Sequence, residues 1–126
     1  MAAPEPNLTG QRVLVVEDEW IIADDLAQAL RDYKAEVVGP VPTLGRALSL
    51  LAAEPGLTSA VIDVNLRGTM AYPLADELQR RGVPVVLATG YDAESIPPRY
   101  AGLPRCHKPL EVAAVARALQ ILVSVS

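Results

Sequence analysis

The stretch Val13-Leu-Val-Val-Glu-Asp-Glu19 joins an uninterrupted apolar run to three consecutive acidic residues. An apolar run that stops abruptly at charge is typical of a strand buried on both faces of a parallel sheet. Three further runs have a similar character, at residues 36–38, 59–62 and 83–88. A weaker fifth run at 103–106 contains Pro104, and a proline suits an edge strand because its missing N–H is tolerated there.

Helical patterns fill the intervals between these runs, over residues 19–34, 43–53, 73–82 and 110–123. Thr43 is a suitable N-cap for the second helix, and Pro73 fits the first turn of the third. The interval between the fourth and fifth strands is short and contains several prolines. It therefore predicts only a short or irregular helix 4, around residues 93–96.

Alternation of strands and helices predicts a parallel sheet with right-handed crossovers. Five such strands favour an α/β fold with the strand order 2-1-3-4-5, a flavodoxin-like three-layer sandwich whose sites lie at the carboxyl ends of the strands. The length of 126 residues fits a single domain, 1–126. We expect its first residues, 1–10, to be flexible.

Composition excludes several classes of function. Apolar residues make up 51% of the chain and charged residues 21%, which is a globular composition. The formal net charge of −4 argues against a broad basic face for nucleic acid. No apolar run is long enough to cross a bilayer, and Met1-Ala-Ala-Pro-Glu-Pro6 does not resemble a signal peptide. With Cys106 as its single cysteine, the chain is expected to be cytoplasmic, without nucleic-acid or membrane partners.

Polar residues follow four of the five predicted strands. Glu17 and Asp18 follow the first, Asp63 ends the third, Thr89 follows the fourth and Lys108 follows the fifth. In the order 2-1-3-4-5 these four strands are neighbours, so their carboxyl ends would meet in one crevice. Two carboxylates about 4 Å apart repel by about 4 kcal/mol at an effective dielectric of about 20. They stay ionised together only beside a cation.

Magnesium suits this set of residues because it prefers oxygen ligands and combines one or two carboxylates with a phosphoryl oxygen. Asp18 and Asp63 are suited to direct ligation, and the longer Glu17 to ligation through water. A carboxylate beside Mg²⁺ can act as a nucleophile towards a phosphoryl group and form an aspartyl phosphate. Lys108 and Thr89 would then contact the phosphoryl oxygens.

Four segments of the chain resemble the signature segments of response-regulator receiver domains: Leu14-Val-Val-Glu-Asp-Glu19, Val61-Ile-Asp-Val-Asn-Leu66, Ala88-Thr-Gly90 and Lys108-Pro109. They occur in the family's order, and the resemblance covers about residues 10–123. By this resemblance Asp63 matches the phosphoacceptor, and Glu17 and Asp18 match the acidic pair. The backbone carbonyl of Asn65 matches the third protein ligand of Mg²⁺.

The same resemblance implies that Thr89 is the switch hydroxyl and that Lys108 is the family's lysine, followed by a cis bond to Pro109. Leu87-Ala-Thr-Gly-Tyr91 is similar to the motif of the FATGUY subgroup, whose single-domain members often act in general stress signalling. Here a leucine replaces the subgroup's phenylalanine.

The loop Asp63-Val-Asn-Leu-Arg-Gly68 resembles that of receivers paired with HWE-type histidine kinases. A second departure from the family's pattern is Arg105, where many receivers place a Tyr or Phe that turns inward on phosphorylation. Tyr91 is a candidate replacement for that aromatic residue.

The resemblance implies a stand-alone response regulator that takes a phosphoryl group from a histidine kinase onto Asp63 with Mg²⁺. It would signal through phosphorylation-dependent protein contact and would not be an enzyme, beyond catalysing its own phosphorylation and dephosphorylation. The alternatives are a hybrid-kinase receiver, a phosphorelay phosphate sink, an aspartyl-nucleophile phosphatase and a flavodoxin-like cofactor module. A dehalogenase-type phosphatase needs a second Asp where this chain has Asn65. A cofactor module needs a phosphate-binding loop where it has Glu17-Asp18-Glu19.

Two further expectations concern the surface. The last helix has apolar residues on two sides, and Ala114, Ala118 and Ile121 lie opposite the side that would cover the sheet. With the fifth strand, this side is expected to contact a downstream protein or a second copy in a homodimer; scattered surface alanines are the alternative. We expect His107 to be exposed and without function.

Overall fold

The computed structural model describes residues 4–90 and 96–124. The strands in these ranges are Arg12–Val16 (β1), Glu36–Val41 (β2), Ser59–Asp63 (β3), Asn65–Leu66 (β4), Thr69–Met70 (β5), Val85–Thr89 (β6) and Arg105–His107 (β7). The helices are Trp20–Asp32 (α1), Leu44–Ala53 (α2), Tyr72–Arg80 (α3) and Val112–Ser124 (α4), with a 3₁₀ turn at Pro98–Tyr100.

Five strands form one parallel sheet in the order β2-β1-β3-β6-β7. This confirms the predicted order 2-1-3-4-5. Successive side chains of β1 point to opposite faces of the sheet: Val13 and Val15 join one core, and Leu14 and Val16 join the other. Burial on both faces explains why this strand is apolar at every position after Arg12.

Helices cover both faces of the sheet, which confirms the three-layer sandwich. The core that contains Val13 also includes Leu26 and Leu30 of α1 and Leu119 of α4. The opposite core includes side chains of α2 and α3, among them Leu51. Thr43 caps α2 as predicted, because its hydroxyl accepts a hydrogen bond from the Arg46 amide.

Strand boundaries differ from the predicted ones for local reasons. The sequence suggested that β2 ends before Gly39, but it continues to Val41 with a shift of register against β1. Gly39 has φ +98°, and a Cβ there would lie 2.9 Å from the carbonyl oxygen of Val15, so only glycine fits. Strands β6 and β7 begin after Pro84 and Pro104, two residues later than predicted, because proline has no N–H for the ladder.

Two segments carry features that the sequence did not predict. Leu8 is fully buried against α1 and α4, and its amide donates to the Tyr33 carbonyl over 2.7 Å. The structure therefore packs part of the segment that we expected to be flexible; one domain over 1–126 stays our prediction. After β3, strands β4 and β5, each two residues long, form an antiparallel hairpin. Its turn residues, Arg67 and Gly68, have positive φ.

The short helix expected around 93–96 falls largely outside the described residues, which resume at Ile96. The next described element is the 3₁₀ turn at Pro98–Tyr100. Among the described residues, no helix combines the length and the hydropathy that crossing a membrane requires.

Candidate functional site

The sheet brings three of the predicted site residues into direct contact at its carboxyl edge. Glu17 follows β1, Asp63 ends β3 and Lys108 follows β7. The Lys108 ammonium donates to Glu17 Oε1 and to Asp63 Oδ2, each over 2.7 Å. Both carboxylates are nearly inaccessible to water, since Glu17 is 3% exposed and Asp63 is 5% exposed. Residues 17, 63 and 108 therefore form one buried polar cluster.

Asp18 completes an acidic group at the same place. Carboxylate oxygens of Glu17, Asp18 and Asp63 all lie within 4.8 Å of one another. One lysine cannot neutralise three carboxylates that lie so close together, so the arrangement calls for further positive charge. Oxygen donors at this spacing suit a hard divalent cation such as Mg²⁺. The donor set therefore fits the metal that the sequence predicted.

The pKa values in the cluster reflect its burial and its pairing. Burial raises the pKa of Glu17 to about 7, although the hydrogen bond from Lys108 acts in the opposite direction. Burial alone would lower the pKa of Lys108, but its hydrogen bonds to Asp63 and Glu17 outweigh that effect and raise it above its usual range. Lys108 is therefore a permanent cation. With a pKa of about 7, the Glu17 carboxyl is only partly ionised near neutral pH, and further positive charge would favour its ionised form.

The β3–β4 junction fixes the orientation of the Asp63 carboxylate. The backbone amide of Asn65 donates to Asp63 Oδ1 over 3.0 Å, while Lys108 contacts the other oxygen. The Asn65 side chain is directed to the hairpin turn, where its Oδ1 accepts from the Gly68 amide over 2.6 Å. Metal ligation by the Asn65 carbonyl stays a prediction, although the residue lies beside the cluster.

A pocket of about 540 Å³ opens over this cluster, and the hairpin forms part of its wall. Its lining includes Asp18, Asp63, Asn65 and Lys108. Arg67 of the hairpin turn also lines the pocket, and its Nε lies 3.6 Å from Asp18 Oδ2. The space is sufficient for a hydrated ion together with a phosphoryl group.

Thr89 lies at the end of β6, beside β7, and is 3% exposed. Its hydroxyl oxygen lies 3.1 Å from Nδ1 of His107. His107 is exposed as expected, and its ring contacts a residue of the candidate site, which the sequence did not suggest. A lone exposed histidine gives no signal in the sequence, and the contact becomes evident only from the register that pairs Thr89 with His107.

The sequence offered Tyr91 as a candidate replacement for the aromatic residue that many receivers have at the position of Arg105. Tyr91 lies outside the described residues, so its suggested role stays a prediction. The Arg105 guanidinium donates to the Ala101 carbonyl over 3.1 Å. Tyr100 is 2% exposed and stacks on Tyr72 of α3, with ring centroids 4.5 Å apart.

The peptide bond between Lys108 and Pro109 is cis, as the resemblance implied.

The three residues that the sequence placed on the outer side of α4 differ in their exposure to solvent. Ile121 is 61% exposed and Ala114 is exposed, whereas Ala118 is half-buried and packs against the core shared with α1. Trp20, beside the acidic cluster, is 76% exposed.

Solved structures of other proteins resemble this one over most of its length. The solution structure of SdrG from Sphingomonas melonis Fr1 is 37% identical, with a TM-score of 0.78, over 90% of this chain and 96% of that one. A solution structure of SdrG from Pseudomonas melonis Fr1 in its BeF3-activated conformation is also 37% identical, with a TM-score of 0.75, over 93% of this chain and 98% of that one.

The crystal structure of the response regulator PhyR from Brucella abortus is 26% identical, with a TM-score of 0.76. The match covers 94% of this chain and 50% of PhyR. Receiver domains of two response regulators and of the hybrid histidine kinase CckA, which are 16% to 22% identical, share the fold. No protein-family model and no curated protein matches the sequence.

Proposed function

Because the chain belongs to the receiver-domain family of response regulators, we propose that it is a phosphoryl-accepting switch whose acceptor is Asp63. The observation that carries the proposal is the contact of Lys108 with both Glu17 and Asp63, over 2.7 Å each, beside a third carboxylate. In this proposal Asp63 is the nucleophile, Lys108 supplies a fixed positive charge, and carboxylates of the cluster bind the metal.

The metal belongs to the proposal. Asp18 and Asp63 would bind Mg²⁺ directly, the Asn65 carbonyl would be a third protein ligand, and Glu17 would act through water. When bound, the ion neutralises charge on the phosphoryl oxygens. An Asp63 oxygen forms the new bond to phosphorus as the phosphorus–nitrogen bond of the kinase phosphohistidine breaks. Lys108 is then released from part of its contact with Asp63 and can pair with a phosphoryl oxygen.

The partners are inferred from this chemistry. The donor would be a histidine kinase, and the loop Asp63-Val-Asn-Leu-Arg-Gly68 favours the HWE type. Leu87-Ala-Thr-Gly-Tyr91 favours the FATGUY subgroup and a role in general stress signalling. We propose that the protein acts as a stand-alone regulator in the cytoplasm.

Output would occur by protein contact through β7 and α4. Ile121 offers an exposed apolar side chain there, and a downstream protein or a second copy of this chain could cover it. The half-buried Ala118 is unsuitable for testing this surface, because a charged replacement would disturb the core. Ile121→Glu avoids that problem and should weaken association without unfolding the domain.

A phosphatase with an aspartyl nucleophile is the alternative from another class. Such an enzyme needs a general acid two residues after the nucleophile, and Asn65 at this position uses its side chain in the hairpin turn. We therefore propose that the protein catalyses only its own phosphorylation and dephosphorylation. A role as the receiver of a hybrid kinase, or as a phosphate sink in a phosphorelay, would use the same pocket.

Intact mass measurement after treatment with acetyl phosphate and Mg²⁺ tests the proposal. The wild type should gain the mass of one phosphoryl group, and the gain should disappear when the metal is chelated. Asp63→Asn should gain nothing, whereas Asp25→Asn, an exposed aspartate of α1, should behave as the wild type. A phosphoryl gain on Asp63→Asn would show that the acceptor is another residue.

A further inference from the structure

The hydroxyl of Thr89 is held by a side chain for which the sequence suggested no role. Thr89 and His107 are register partners on β6 and β7, and the Lys108 amide donates to the Thr89 carbonyl over 2.8 Å. Register partners on neighbouring strands share a face of the sheet. The 3.1 Å contact between Thr89 Oγ1 and His107 Nδ1 therefore adds a side-chain link to a backbone link at the same point.

A threonine hydroxyl has one hydrogen to donate. His107 is exposed, so its Nε2 can keep the ring proton in contact with water while Nδ1 acts as the acceptor. A Thr89 hydroxyl that donates to Nδ1 cannot donate to a phosphoryl oxygen at the same time. The two acceptors therefore compete for one hydrogen.

We propose that His107 is a positioning residue that holds the Thr89 hydroxyl in the unphosphorylated protein and loses it to the phosphoryl group on Asp63. The inference rests on the proposed function. Loss of the contact frees the imidazole at the end of β7, immediately before Lys108 and five residues before the start of α4 at Val112. Phosphorylation would therefore change the surface formed by β7 and α4.

Neighbouring side chains are less suited to this role. Arg105 is bound to the Ala101 carbonyl. Tyr100 is stacked on Tyr72 and its hydroxyl donates to Asp76 Oδ1 over 2.7 Å. Among the described residues, His107 is the one whose side chain is seen in hydrogen-bond contact with the Thr89 hydroxyl.

Beryllofluoride with Mg²⁺ is a suitable probe, because it imitates the phosphoryl group without hydrolysis. His107→Ala should bind it about 2- to 10-fold more tightly than the wild type, since one neutral hydrogen bond no longer has to be broken. His107→Asn should bind it as the wild type does, because the amide oxygen can take the place of Nδ1. Arg105→Ala, on the same strand, should show wild-type affinity.

A double-mutant cycle separates coupling from general destabilisation. In a Thr89→Val background the change from His107 to Ala should have no effect on beryllofluoride affinity. An equal effect with and without the hydroxyl would overturn the inference. Should His107→Ala fail to fold, His107→Asn and the nitrogen shifts of the wild-type imidazole provide the same test.

Nitrogen NMR of the wild type gives the direct readout, at a pH where imidazoles are neutral. The His107 Nδ1 signal should shift as beryllofluoride saturates the protein, and it should stay constant in Asp63→Asn. An unchanged signal at saturation would overturn this inference alone. If the wild type does not bind beryllofluoride at all, the proposed function fails and this inference fails with it.

Discussion

At the scale of single residues, Lys108 compensates for the cost of burying two carboxylates. Removing one partner of a buried ion pair costs about 3–5 kcal/mol because a charge is left uncompensated. Glu17 and Asp63 would both lose their cation, since Lys108 contacts each of them. The same lysine competes with a metal for the carboxylates, so its loss affects folding and metal binding in opposite directions.

We predict that Lys108→Met, which keeps the aliphatic stem, lowers the free energy of unfolding in metal-free buffer. The loss should be about 3 kcal/mol or somewhat less, because the lysine side chain is 19% exposed. Saturating Mg²⁺ should restore more stability to this variant than to the wild type. Urea unfolding with and without Mg²⁺ measures both, and Lys108→Arg controls for the charge. Equal stability of Lys108→Met and the wild type without metal would contradict the role given to Lys108.

The raised pKa of Glu17 predicts how stability depends on pH. Its pKa is about 7 in the folded protein and 4.5 in the reference state. Between these values the folded state holds a proton that the unfolded state has lost, so the free energy of unfolding falls as the pH rises. Glu77 has the opposite effect, because hydrogen bonds with Arg80 and Arg81 lower its pKa to about 2, and this effect is nearly complete about one pH unit above the reference pKa of 4.5.

We therefore expect metal-free wild type to lose thermal stability between about pH 5 and pH 8, more than Glu17→Gln does. Mg²⁺ favours the ionised carboxylate and should reduce the difference. Melting temperatures over this range, with and without the ion, measure the effect. A wild-type profile parallel to that of Glu17→Gln would show that Glu17 does not titrate in this range.

At the scale of secondary-structure elements, the 3₁₀ turn at Pro98–Tyr100 is fastened to α3. The Tyr100 hydroxyl donates to Asp76, and Arg99 donates to Asp76 Oδ2 over 2.7 Å and to the Tyr100 hydroxyl. The ring of Tyr100 also stacks on Tyr72. By contrast, the buried hydroxyl of Tyr72 has no hydrogen-bond partner among the described residues. Two stacked tyrosines thus differ in what their hydroxyls contribute.

Replacing each tyrosine by phenylalanine should separate these contributions. Tyr100→Phe should cost about 1.5–3 kcal/mol, the range for a hydrogen bond to a charged group. Tyr72→Phe should be neutral or slightly stabilising, because it removes an unsatisfied buried hydroxyl. Amide hydrogen exchange should increase at residues 99–101 in Tyr100→Phe alone. Equal losses in the two variants would mean that the Tyr100 hydroxyl, and with it the Asp76 contact, gives the turn no particular stabilisation.

At the scale of the whole molecule, the sequence predicts the alternation of strands and helices, because that pattern repeats along the chain. It misses the side-chain contacts that depend on the exact pairing of distant segments. Apolar runs ending at charge predicted the sheet and its strand order, because doubly buried strands leave that pattern. The meeting of Asp63 with Lys108 followed from the strand order alone. The Thr89–His107 contact and the Tyr72–Tyr100 stack did not, since each needs the exact pairing of distant segments. The β4–β5 hairpin was missed because its strands are two residues long.

The function depends on this large-scale arrangement. The acidic residues come from the ends of β1 and β3, and the lysine comes from the end of β7, which is separated from β3 by β6. No single element contains the site. A divalent ion would therefore bind to the folded sheet and stabilise it relative to the unfolded chain.

Isothermal titration calorimetry with Mg²⁺ tests the central claim, that these carboxylates form one divalent-cation site. The wild type should bind one ion, and Asp18→Asn and Asp63→Asn should each lose most of the affinity, while Asp25→Asn binds as the wild type does. Wild-type binding that survives in Asp18→Asn and Asp63→Asn, or no binding by the wild type, would contradict the account.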